Sequence, residues 1–66
     1  IQVDGLKQGN ISKIINAGFD SIGKIISMTK DDFMSIPGFK EKMSNKIYNS
    51  IKYKVINIYY FYRNLN

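Results

Sequence analysis

The sequence predicts a small all-α domain of two similar helical hairpins, closed by a long C-terminal helix. Three observations carry this. Apolar residues recur in steps of three and four along most of the chain. Turn formers interrupt that pattern at Gly5, Gly18 and Pro37-Gly38. The chain also repeats: a shift of 33 residues (5 to 38) lays Val3-Asp4-Gly5-Leu6-Lys7-Gln8 on Ile36-Pro37-Gly38-Phe39-Lys40-Glu41, Lys13-Ile14 on Lys46-Ile47, and Asn16 on Asn49. The matches fall at the turn and on one helix face, which favours a duplication.

Each element has its own signal. After the first turn, Ile11, Ile14 and Ile15 share a helix face, and Gly18 can close that helix in the left-handed conformation. Ser21 is a candidate N-cap for a second short helix carrying Ile22, Ile25 and Ile26. Thr29-Lys30-Asp31-Asp32 reads as a capping box, which points Phe33 and Ile36 inward. Pro37 restricts Ile36 and ends the third helix. The fourth begins near Lys40, with the stripe Met43, Ile47, Ile51, Val55, Ile58 and Tyr62. Val55 to Tyr62 is rich in β-formers, but the helical stripe runs through it. Residues 1–54 are therefore expected to form the paired-hairpin domain, and 55–66 an aromatic-rich helical extension.

Composition narrows the function. A chain of 66 residues is one small domain, which buries only ~60% of its unfolded surface. It has no cysteine and no histidine, so the commonest thiolate and imidazole chemistry is missing. Its five carboxylates are scattered, apart from Asp31-Asp32. An active site is not expected in this stretch. The formal charge of +5 suits an anionic partner, or simply a solvated surface. No apolar run approaches the ~18 residues of a membrane span, and no signal-peptide layout opens the chain, so an intracellular setting is expected. The chain opens on Ile1, which reads as a piece of a longer protein. Nine of the ten basic residues are lysine, and Ile and Asn are abundant, a skew that AT-rich codons produce.

The two turns carry the chemistry. Each joins helices as apolar-x-Gly-apolar-Lys, the form of a helix-hairpin-helix. Gly5 and Gly38 permit backbone angles other residues avoid and let a foreign backbone come close. Leu6 and Phe39 can tuck back and pin the turn. The next residues open a helix whose first N–H groups lack intrahelical partners and attract phosphate. Lys7, Lys40 and Lys42 add charge there, and Lys13 and Lys46 hold equivalent places in the repeat. Gly5, Leu6, Lys7, Gly38, Phe39, Lys40, Lys42, Lys13 and Lys46 are the candidate phosphate-binding set. None of these groups reads a base, so binding would be to the backbone and independent of sequence. One such turn alone is more often plain chain reversal; the two copies and the charge shift the balance to nucleic acid.

Val3-Asp4-Gly5-Leu6-Lys7, Asn16-Ala17-Gly18-Phe19, Met28-Thr29-Lys30-Asp31-Asp32-Phe33 and Ile36-Pro37-Gly38-Phe39-Lys40-Glu41-Lys42 together resemble the helix-hairpin-helix domain of NAD-dependent DNA ligases, of the kind found in large DNA viruses and other AT-rich genomes. The resemblance spans roughly residues 2 to 52. It implies a tandem helix-hairpin-helix domain lying C-terminal to nucleotidyl-transfer and OB domains. Such a domain holds nicked duplex DNA by its minor-groove backbone, in replication and repair. The whole enzyme would use NAD and Mg2+; this stretch has no cofactor of its own. Two departures stand out: the family often has a second glycine where this chain has Lys7 and Lys40, and a helix preceding the first hairpin is missing. The C-terminal domain of the bacterial RNA polymerase alpha subunit and the N-terminal domain of strand-exchange recombinases share the paired-hairpin plan. A protein-interaction module of the same architecture is a further alternative.

The remaining features have plainer readings. Asp31-Asp32 suits helix capping rather than a metal. Met28, Met34 and Met43 suit core or boundary packing. Lys46, Lys52 and Lys54 suit a solvated face. The tail Ile58-Tyr59-Tyr60-Phe61-Tyr62 could stack bases; packing against the face left bare by the missing helix, a neighbouring domain or a second copy is the preferred reading.

Overall fold

The computed structural model describes residues 6–65. Gly5, the glycine of the first turn, lies outside the described residues, as do Val3 and Asp4. Four helices follow in order: α1 (Gln8–Asn16), α2 (Ile22–Ile26), α3 (Lys30–Met34) and α4 (Glu41–Arg63). No strand occurs among the described residues, and Val55 to Tyr62 is helical.

The local signals act where the sequence puts them. Gly18 takes a φ of +103° after α1. Its N–H donates to Ile15 O at 3.0 Å, and the Phe19 N–H donates to Ile14 O at 3.2 Å. These two bonds make the Schellman closure that a glycine permits. The Ser21 hydroxyl accepts from the Lys24 N–H at 3.2 Å and caps α2. At α3 the capping box is complete. Thr29 Oγ1 accepts from the Asp32 N–H at 3.1 Å, and Asp32 Oδ2 accepts from the Thr29 N–H at 2.9 Å. Between α3 and α4 the Phe39 N–H donates to Ile36 O at 3.0 Å. That bond closes a four-residue turn with Pro37 second and Gly38 third, the latter at φ +90°. This is the arrangement a type II turn requires.

The core is Ile14, Met28, Phe33, Ile36, Phe39, Ile47 and Ile51. Each fully buried aliphatic or aromatic side chain contributes about 1.5–3 kcal/mol. The Phe33 and Phe39 rings lie parallel, 6.4 Å between centroids. Phe39 thus ties the second turn to α3, while Leu6, half-buried, packs on the same cluster. α4 lies against α3 and α2. Ser44 is fully buried on α4, and its hydroxyl has no hydrogen-bond partner. Lys52 fastens α2 to α4: its ammonium donates to Ile26 O at 2.9 Å and sits 5.3 Å from the centre of the Tyr48 ring.

Two apolar sets are less buried than their periodicity suggests. In α2 only Ile25 is half-buried, while Ile26 is exposed and Ile22 is 77% exposed. A helix of five residues turns little more than one residue toward a core. Ile15 of α1 is exposed as well. Along the stripe of α4 burial fades: Ile47 and Ile51 are buried, Val55 is half-buried, and Ile58 and Tyr62 are exposed. The helix outruns the core, and the molecule measures 43 × 22 × 20 Å. The aromatic tail therefore does not fold back over a bare face of its own domain.

Candidate nucleic-acid interface

The four helices start in two different ways. Those of α2 and α3 are capped by side chains of the chain itself. Those of α1 and α4 are not. Their N-cap residues are Lys7 and Lys40, and a lysine ammonium has donors but no acceptor, so it cannot satisfy a backbone N–H. The two share one geometry: φ −89°, ψ 167° at Lys7 and φ −97°, ψ 173° at Lys40. Both accept the first helical bond alike, from Ile11 N–H to Lys7 O and from Ser44 N–H to Lys40 O, each at 2.9 Å. The positive end of each helix dipole thus coincides with a lysine whose side chain makes no cap hydrogen bond, though Glu41 adds a carboxylate to the first turn of α4.

The fold brings these two starts to one groove. Lys7 and Asn10 of the first half line it with Gly38, Lys40, Lys42, Met43 and Lys46 of the second. Its four lysines are all exposed, and no carboxylate lines it. Glu41 opens α4 but is not part of the lining. Lys13 belongs to the same corner: its ammonium lies 3.1 Å from where a Cβ on Gly38 would stand. A cation from the first half therefore leans over the turn of the second.

Of the expected set, Lys7, Gly38, Lys40, Lys42 and Lys46 meet in the groove, and Lys13 reaches it from α1. Gly5 lies outside the described residues. Phe39 is part of the core cluster and its N–H donates to Ile36 O, while Leu6 packs against that cluster. Asn10 and Met43 were not expected. Asn10 Nδ2 lies 3.7 Å from Met43 Sδ at the groove floor. The two positions are equivalent in the repeat (10 and 43), and that register was the available signal.

Elsewhere several charges have partners within the fold. Lys24 donates to Asp20 Oδ1 at 3.0 Å. That hydrogen bond, then the ammonium's charge, holds the Asp20 carboxyl below the usual carboxylate range. Lys30 lies 5.4 Å from the centre of the Tyr48 ring, on which Lys52 also sits.

No protein-family model matches the chain, and no solved structure does. A DNA ligase of Acanthamoeba polyphaga mimivirus is 40% identical over 58 residues, which are 88% of this chain and 9% of the ligase. The chain is thus related to one short stretch of a DNA ligase and spans under a tenth of that protein's length.

Proposed function

We propose that this chain is the duplex-binding module of a DNA ligase, a tandem helix-hairpin-helix that grips the sugar–phosphate backbone at the starts of α1 and α4. The observation that carries it is the groove where two uncapped helix starts and four lysines converge with no carboxylate in the lining. Uncapped starts offer N–H donors and a positive dipole end, which suit phosphate oxygens. Two equivalent starts related by the repeat suit two phosphate runs, one on each strand. Asn10 and Met43 in contact across the repeat, and the likeness to a ligase segment, support the same reading. Gly38, without a side chain, leaves room for the backbone of the partner.

The chemistry of such a module is positioning. Phosphate contacts fix a protein's place on DNA without reading sequence. In a ligase that place is the nicked duplex, and adenylation with NAD and Mg2+ belongs to other parts of the parent chain. The test is binding to short duplexes, nicked and intact, over a series of salt concentrations. Log affinity is expected to fall linearly with log salt, by about 0.9 for each phosphate neutralised, and equally for unrelated sequences. Absence of duplex affinity at low salt, or a marked sequence preference, would overturn the proposal.

A further inference from the structure

A second surface shares no lining residue with the basic groove. An apolar channel runs between α2 and α4, walled by Ile22, Ile25 and Ile26 on one side and Ile51, Val55 and Ile58 on the other. Past the core the same face of α4 continues through Tyr62, and Leu65 follows in the closing turn. Ile51, Val55, Ile58, Tyr62 and Leu65 are spaced four, three, four and three apart, the seam by which one helix receives another. Only its lower part is used internally. Ile58 is 40% exposed, Tyr62 64% and Leu65 63%.

Charge says what kind of segment fits. The positions flanking the seam are Lys52 and Lys54 lower down and Tyr59 and Phe61 above. Lys54 also edges the channel. After Glu41 the chain has no carboxylate at all, against Lys42, Lys46, Lys52, Lys54 and Arg63. A second copy laid on the seam would bring no carboxylate to Lys54, whereas a helix with carboxylates beside its stripe would. Flanking charges choose the partner of a helix seam.

We propose that the seam of α4, with the channel it shares with α2, is the docking face for an amphipathic helix of another polypeptide or domain, one whose apolar stripe is flanked by carboxylates. The run from Ile51 to Leu65 is roughly 20 Å, room for about four turns of that helix. Salt weakens this contact only through its flanks, because the stripe itself is apolar.

The test uses this chain and two synthetic helical peptides with the same leucine seam, one flanked by Glu and one by Lys. The Glu peptide is expected to bind at least about tenfold more tightly than the Lys peptide. Lys54→Glu is expected to narrow that preference, and Ile58→Asp or Tyr62→Asp, both at exposed positions, to abolish binding while helix content stays. Equal binding of the two peptides, or binding of neither, overturns the proposal. So does a dimer in sedimentation that Tyr62→Asp dissociates, which would assign the seam to a second copy. Capture of the chain by anionic vesicles but by neither peptide would assign it to a lipid surface and overturn it too.

Discussion

The starts of α1 and α4 differ from those of α2 and α3 in what stands at the N-cap. At α2 and α3 a Ser or Thr oxygen accepts a first-turn N–H, and Asp32 completes the exchange at α3. At α1 and α4 a lysine occupies the same position and accepts nothing through its side chain. A side-chain cap is worth about 1 kcal/mol to a helix. The short helices use it because five residues each cannot hold themselves. The two starts that forgo it are the two that meet in the basic groove. The difference separates helix starts capped by a side chain from helix starts that are not, and the proposed grip on DNA rests on the second kind.

Substitutions can break that separation. Lys7→Glu together with Lys40→Glu replaces both cations with like charge for phosphate. Duplex affinity is expected to fall about 100-fold or more at low salt, with the log–log salt slope smaller by about 1.8. Circular dichroism should be unchanged, since both side chains are exposed. An unaltered affinity in the folded double variant would remove these starts from the interface.

Lys7→Ser with Lys40→Ser sharpens the contrast instead. It gives α1 and α4 the caps that α2 and α3 have. Stability should rise by about 1 kcal/mol for each cap formed, while duplex affinity drops about tenfold as two charges go and the donors acquire internal partners. Denaturation and DNA titration of the same variant would move in opposite directions.

Gly38→Val tests the turn between the two kinds of start. A φ of +90° is disfavoured for any side chain, costing about 1–2 kcal/mol, and more for a branched one. The Lys13 ammonium near the new Cβ can swing aside, so the strain lies in the backbone. A lower melting midpoint and weaker binding to nicked duplex are both expected. The smallest effect on DNA should come from Thr29→Ala. It removes half of the α3 box and costs about 1 kcal/mol of stability, but leaves duplex affinity of the folded chain unchanged.

Much of this was legible in the sequence where the cause is local. Ser21, Thr29 with Asp32, Gly18 and Pro37-Gly38 act within a few residues of themselves, and each does in the fold what its residue type dictates. The four-helix order and the stripe through Ile47 and Ile51 followed from periodicity. What periodicity does not encode is which neighbour covers a face. Ile15, Ile22 and Ile26 read as core residues and stand exposed, because no described element packs over their side chains closely enough to cover them. Ser44 reads as polar and is buried, because α4 packs closely at that point. In the site, the repeat picked out the lysines at equivalent positions. The lean of Lys13 over Gly38 and the Asn10–Met43 contact depend on how the two halves pack, and only the fold supplies that.

The most direct measurement is amide chemical-shift mapping during titration with a short nicked duplex. Shifts are expected to concentrate at Gln8 and Gly9 in α1, at Glu41 and Lys42 in α4, and at Gly38. The capped starts at Ile22–Lys24 and Lys30–Asp32 should stay still. Shifts centred on those capped starts, or on Ile58–Leu65, would contradict the assignment of the open helix ends as the grip on DNA.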